Sequence, residues 1–493
     1  MSLTHKTLAS SFIVLATKFI QRGLGLVSML ILARILTPED FGIVSISTMA
    51  VFLFITFTDL GAKQYISKIK EASTEAINSA WSLNILIKFS IWGLFLLGVD
   101  AIVLFLEKPE VRDPLYVLSI ILPLSCTGNP GVWLFSRNLN YKPLFKIEIA
   151  SKLIAFAFVL IHVWIYESYW AMIYGTILTY ALPMLLSYTI TDHKPRFTLS
   201  NVKDQFTFSQ WIILKGFLGY AKSQADAILV SKYFALDLVG VYGMFKNLSA
   251  MPNNQLVQPL TEPLLATFSI SIREDRLSSY QVNLAVFASM LFIAPMTALM
   301  LFYHYEIVYL FLGAKWTEYS IVFANLSLML IPLVLSRNLS QLLIAMDHIN
   351  KLFYYDLVSS ICVIVATVIG IQYFTDLASF SLYVAGLKFI NVFIFVVFVS
   401  VFLFRIKLID LVFYISPIVF TLPPMFILMQ INMVSLGSIV ELFAGSALFC
   451  ALYALQYIAF SRLMSGHEEI QALNRLFSST FKTIKFKIVS IKS

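Results

Sequence analysis

The chain has 493 residues, of which 59% are hydrophobic and only 13% charged, with a formal net charge of +8. Soluble domains carry about 25% charged residues, so a water-soluble globular enzyme or binding domain is excluded. Lipid satisfies no backbone N–H or C=O, which leaves helices or closed barrels as spanning structures; barrel strands alternate apolar and polar residues, whereas runs such as Ile91–Leu106 and Ile390–Phe404 are continuous and predict helices.

Taken in chain order, Ser2–Ser10 is polar and the apolar segment after it is interrupted by Lys18 and Arg22, with no Ala-x-Ala site following. It reads as a first spanning helix and not as a cleaved signal. Spans are predicted at about 10–36, 42–60, 79–106, 115–136, 147–165, 168–190, 207–233, 239–269, 281–303, 317–345, 353–373, 377–403, 408–430 and 437–462, fourteen in all. The turns Thr37–Phe41 and Tyr166–Glu167 are short enough to make antiparallel neighbours. Thr37-Pro38-Glu39-Asp40 reads as a helix start, with Thr37 as N-cap, Pro38 at N1 and acids in the first turn. The span at 239–269 is interrupted by Met251-Pro252-Asn253-Asn254-Gln255 and by Gln258-Pro259, whose prolines release helical carbonyls. Such an amide-rich break either lines a wet cavity or is a kink satisfied by neighbours. The segment from His467 to Ser493 leaves the membrane as a basic tail, lying on the anionic inner leaflet or solvated beside it. Cys126, Cys362 and Cys450 lie far apart in apolar runs and predict neither a disulfide nor a metal site.

Orientation follows from basic residues in short loops. With the N-terminus inside, the inner loops hold Lys63, Lys68, Lys70, Arg137, Lys142, Lys146, Lys194 and Arg196 among others, and the tail adds more. The outer loops hold only Arg34, Lys108, Arg112, Lys232 and Lys315. The bias is roughly fourfold and places both termini in the cytoplasm.

An internal repeat runs through the chain. Ala33 to Gly42 matches Ser231 to Gly240, pairing Arg34 with Lys232, Glu39 with Asp237 and Gly42 with Gly240. Leu104-Phe105-Leu106 matches Leu310-Phe311-Leu312, and Leu144 to Glu148 matches Leu352 to Asp356. A period of six spans keeps both copies in one orientation, related by an axis along the membrane normal. The expected fold is all-α, with an N-terminal six-helix bundle over residues 1–200, a C-terminal one over 201–405, two additional helices over 406–465 and the tail over 466–493. Transporters built this way hold substrate between their repeats.

Charge within the membrane costs about 2.5–3.5 kcal/mol on insertion scales and marks function by default. The first span carries Lys18, Gln21 and Arg22; the seventh carries Lys215, Lys222, Gln224 and Asp226. Lys18 and Arg22 share one helical face, as do Lys215, Lys222 and Asp226. These residues are expected to line a cationic cavity. Asp226 pairs with Lys222 or carries a coupling ion, and Glu262 is a second coupling candidate. Lys246, Asn253, Asn254, Arg337 and Lys388 are further cavity candidates. Lys88 and Lys152 read as lysines that snorkel to the interface. Arg and Lys are natural phosphate partners, so the cavity suits an anionic substrate. No phosphate loop, nucleophile elbow or His/Cys cluster accompanies these residues.

The stretch from Lys18 to Lys68, centred on Leu32-Ala33-Arg34-Ile35-Leu36-Thr37-Pro38-Glu39-Asp40-Phe41-Gly42 and followed by Asp59-Leu60-Gly61, resembles the opening of bacterial polysaccharide exporters, the Wzx-type oligosaccharide flippases. Arg137-Asn138-Leu139-Asn140-Tyr141-Lys142 is similar to that family's basic fourth loop, and Leu312-Gly313-Ala314-Lys315-Trp316 to its outer turn in the second half. The resemblance implies transport of undecaprenyl-diphosphate-linked oligosaccharide across the bacterial inner membrane, with a basic central cavity and no enzymatic activity. It also implies work beside the polymerase and chain-length regulator of the same pathway. No cofactor is expected beyond a coupling ion, H+ or Na+, and no nucleic acid. A cation-coupled exporter of amphipathic drugs is the alternative, and a membrane glycosyltransferase using Glu39 and Asp40 is a third reading.

Overall fold

The computed structural model describes residues 3–200, 202–258, 279–399, 416–431, 438–463 and Gln471. Regular structure among the described residues is helical throughout. Nine helical stretches among them are long and apolar enough to cross a bilayer. The chain is a multi-pass membrane protein whose residues fall into two compact units, 1–244 and 245–493.

The first unit holds α1 (Leu3–Ile35), α2 (Pro38–Phe57), α3 (Ala62–Lys68), α4 (Thr74–Leu106), α5 (Arg112–Leu118), α6 (Ile121–Leu124), α7 (Val132–Arg137), α8 (Lys142–Tyr166), α9 (Trp170–Ser187), α10 (Val202–Tyr233) and most of α11 (Leu236–Pro252). Helix α2 begins as its sequence predicts. Thr37 Oγ1 accepts from the Asp40 N–H, the Asp40 carboxylate accepts from the Thr37 N–H at 2.9 Å, and Pro38 occupies the first turn. This reciprocal capping satisfies two amide groups that a helix start leaves open.

The region expected as one span at 115–136 is instead α5, α6 and α7, broken between Ser125 and Gly131. Pro130 donates no hydrogen bond and Gly128 and Gly131 flank it. Three long side chains of α4 hold the break. Trp92 Nε1 donates to Ser119 Oγ at 3.0 Å, Lys88 Nζ to Ser125 Oγ at 2.8 Å, and Trp81 Nε1 to the Gly128 carbonyl at 3.0 Å. Lys88 is buried, so the interfacial reading of that lysine is corrected. Its ammonium sits at the end of α6, where a helix concentrates partial negative charge.

Arg137, at the end of α7, clamps the end of α3. Its guanidinium donates to the carbonyls of Ile66, Ile69 and Lys70, the last two at 2.8 and 2.7 Å. The segment after α9 is tied in nearby: His193 Nε2 lies 2.8 Å from Asn78 Oδ1, and Asn129 Nδ2 donates to the His193 carbonyl at 2.8 Å.

In the second unit, α11 passes at Pro252 into a π turn over Asn253–Val257, which is the interruption that its prolines and amides predict. Then follow α12 (Ser279–Phe302), α13 (His304–Leu312), α14 (Ser320–Ser327), α15 (Leu330–Ala345), α16 (Ile349–Tyr373), α17 (Leu377–Val399), α18 (Leu422–Ile431) and α19 (Ser438–Leu463). The connection between α12 and α14 is itself folded, as α13 and a 3-10 turn over Ala314–Tyr319. Gly313 takes φ +95° there, and Trp316 is fully buried against Phe245. Helix α19 is fastened by Tyr453, whose hydroxyl reaches the carbonyls of Leu291 on α12 at 3.2 Å and Pro417 at 3.3 Å.

Candidate functional site

Helix α8 packs on both α1 and α9. It buries Ile147, Ser151, Ala155, Val159 and Val163, a ridge spaced four residues apart. Ser151 and Ala155 are small, and Gly175 of α9 accepts Val159 so closely that a methyl group there would overlap it. Small residues let the helix backbones approach in this way. The ridge turns Lys152, beside Ser151, toward α1 and α9. The result is a cavity of about 420 Å³ in the first unit, lined by Gln21 and Arg22 of α1, Phe52 of α2, Lys152 of α8, and Thr176, Thr179 and Tyr180 of α9.

The lining has a definite chemistry. Arg22 and Lys152 supply two cations. Thr176 Oγ1 donates to the Met172 carbonyl at 2.7 Å and Thr179 Oγ1 to the Thr176 carbonyl at 2.6 Å, so both hydroxyls present lone pairs to the cavity. Gln21 Nε2 donates to Glu148 Oε2 at 3.3 Å, tying α1 to α8 one turn before Lys152. Phe52 and Tyr180 bring their rings within 6.5 Å and form the apolar wall. A group that is anionic at one point and hydroxyl-bearing at another matches this lining.

Of the residues predicted from sequence, Gln21 and Arg22 line the cavity. Lys18, one turn earlier on α1, is exposed, and Lys222 and Gln224 are half-buried on α10; none of the three lines it. Lys215 belongs to α10, with a side chain outside the described residues. Asp226 is buried and accepts a hydrogen bond of 2.6 Å from the Tyr242 hydroxyl on α11. In the second unit, buried Asn253 donates to Asn254 Oδ1 at 3.1 Å, while Lys246, Arg337 and Lys388 are half-buried. Glu262 and most of the basic tail lie outside the described residues. Lys152, read from sequence as an interfacial lysine, lines the cavity instead, and Thr176, Thr179 and Tyr180 are the residues that sequence reasoning passed over. Lys152 carried a signal in Glu148 four residues before it; the α9 hydroxyls carried only their polarity within an apolar helix.

Residues 31–321 match the family described as "Polysaccharide biosynthesis protein". The chain belongs to this family. Its match contains Phe52, Lys152 and the α9 residues of the cavity, and begins just after Gln21 and Arg22. The chain is 23% identical over 378 residues to the lipopolysaccharide biosynthesis protein WzxC of Escherichia coli (strain K12), covering 76% of each. It is 22% identical over 277 residues to the succinoglycan biosynthesis transport protein ExoT of Rhizobium meliloti (strain 1021), covering 56% of each. Among solved structures, the lipid II flippase MurJ in an inward closed conformation superposes with a TM-score of 0.72 at 16% identity, over 91% of this chain and 99% of that one. The two share a fold.

Proposed function

We propose that this protein is a flippase that carries undecaprenyl-diphosphate-linked oligosaccharide repeat units from the cytoplasmic to the outer leaflet of the bacterial inner membrane by alternating access. The cavity carries the reading: Arg22 and Lys152 line one space with Thr176, Thr179 and Tyr180. The cations suit the diphosphate, and the threonine lone pairs suit sugar hydroxyls. Lys18, Lys215 and Lys222 are proposed as further substrate contacts outside this cavity, and Asp226 and Glu262 remain the coupling candidates, with H+ or Na+ as the ion. The relatives named for lipopolysaccharide biosynthesis and succinoglycan transport, and the fold shared with a lipid flippase, support the same function. Polymerase and chain-length regulator of the pathway are its proposed neighbours.

The proposed architecture has fourteen spans, as two pseudo-symmetric six-helix bundles over 1–200 and 201–405 with a helical pair over 406–465. Both termini face the cytoplasm, supported by the basic bias of the inner loops. The drug-exporter alternative fits poorly, because a cavity for cationic drugs wants carboxylates and this one presents Arg22 and Lys152. Glu39 and Asp40 are poor catalytic candidates, because Asp40 is held in the capping of α2.

The deciding experiment compares cells with and without the protein and asks on which leaflet complete lipid-linked units accumulate. Accumulation facing the cytoplasm, with surface polymer lost, is the expected result. R22A and K152A, each at normal protein level, are expected to reproduce it in part. Loss of one charge-assisted contact is worth about 1.5–3 kcal/mol, roughly tenfold to a hundredfold in affinity. Complete units already on the outer leaflet in the deleted strain would overturn the proposal.

A further inference from the structure

We propose that the connection between α9 and α10 is a membrane-surface strap that binds anionic phospholipid headgroups through Lys194 and Arg196 and seats Phe197 and Leu199 at the edge of the acyl chains. The surface lies outside the cavity, and the inference holds whether or not the protein is a flippase.

Residues 191–199 carry no helix or strand, yet their backbone is fixed. Asn129, in the break between α6 and α7, donates through Nδ2 to the His193 carbonyl at 2.8 Å. His193 Nε2 lies 2.8 Å from Asn78 Oδ1, and the Thr198 N–H donates to Ser82 Oγ at 2.9 Å. Asn78 and Ser82 are buried residues near the start of α4, one helical turn apart. The strap is therefore tied along α4 at two heights.

Those heights set its depth. The predominantly apolar stretch of α4 opens at Ile85. At 1.5 Å per residue, Ser82 and Asn78 lie about 5 and 10 Å before it. The headgroup layer on each side of the hydrocarbon core is about 5–8 Å thick. Thr198 thus sits at the inner edge of that layer and His193 at its outer edge. Between the two ties the side chains divide. His193 and Thr198 are held against α4, while Lys194 and Arg196 are exposed, with Phe197 at 59% and Leu199 at 45%.

The order along the strap matches the order of a leaflet. The cations stand at headgroup depth and the apolar side chains follow at the acyl boundary; exposed Asp192 precedes them on the water side of His193. Burying one Phe or Leu side chain is worth about 1.5–3 kcal/mol, and each Lys or Arg near an anionic surface adds about 1 kcal/mol. A zwitterionic surface would satisfy Phe197 and Leu199 alone, so the two cations are what select an anionic headgroup. A surface at this depth meets lipid before it meets a protein from the water phase. The basic-residue bias puts it in the inner leaflet.

The test places a dye on the strap. F197C is made with C362S and C450S, leaving only buried Cys126, labelled with bimane and reconstituted into nanodiscs of equal parts phosphatidylcholine and phosphatidylglycerol. Bromine is carried on the acyl chains of one lipid or of the other. Brominated phosphatidylglycerol is expected to quench the dye about twofold or more over brominated phosphatidylcholine, and K194E/R196E to abolish that difference. A dye quenched by neither lipid overturns the strap. Equal quenching by both overturns the selection of anionic headgroups, and a difference that survives K194E/R196E overturns the role of those side chains. The unlabelled protein gives a second reading. Its amides at 194–199 are expected to exchange about threefold or more slowly in these discs than in phosphatidylcholine alone; equal exchange counts against the site.

Discussion

An ammonium inside a bilayer persists only where polar groups receive it. Lys88 is received by the Ser125 hydroxyl at the broken end of α6. Removing one partner of a buried pair strands the other, whereas removing donor and charge together does not. S125A is therefore expected to lower stability by about 1–3 kcal/mol, and K88M by less; K88M added to S125A should recover part of the loss. Thermal denaturation of the purified protein in detergent measures all three, and a K88M loss larger than that of S125A contradicts the argument. His193 makes a second residue-level case. Burial holds its imidazole below the ordinary histidine pKa. Because the folded value is depressed, the contribution is present above the unfolded value of about 6.5 and is lost as pH falls through the folded one. The protection of amides in the segment 188–200, measured relative to intrinsic exchange at each pH, is expected to fall as pH drops below about 6.5, and H193Q to flatten that dependence.

At the level of elements, glycines separate close packing from mere helix filler. G42A must push α2 from α11 and is expected to cost about 1–3 kcal/mol or more as overpacking. G98A on α4 meets nothing within 4 Å, and is expected to be neutral or to stabilise slightly, since Ala favours helix over Gly by about 0.5–1 kcal/mol. Thermal shifts of the two variants should differ in sign or by several degrees. The elements also show which signals were legible in sequence. The start of α2 was, because Thr37, Pro38 and Asp40 act within one turn. The π turn after Pro252 was, because proline acts on its own helix. The break between α6 and α7 left a signal in Thr127-Gly128-Asn129-Pro130-Gly131, but an unbroken apolar run on either side outweighed it. The direction of Lys152 was not legible at all, because it depends on the ridge of α8 and on Gly175, a residue of the next helix.

Across the whole molecule, the cationic cavity bears on energetics as well as recognition. Arg22 and Lys152 line the cavity and can offset a diphosphate there, yet in alternating access those side chains stay on their own helices and are not carried across with the substrate. The net charge carried outward in each cycle is then the substrate's own, together with any coupling ion. An inside-negative potential favours export of an anion by about 2.3 kcal/mol per charge per 100 mV. Collapsing the potential with valinomycin and potassium is therefore expected to slow flipping several-fold in right-side-out vesicles, while nigericin, which removes a pH gradient and preserves the potential, should have a smaller effect. The reverse order would mean that proton entry through a carboxylate such as Asp226 or Glu262 supplies the drive. The protons would then run inward while the anion runs outward.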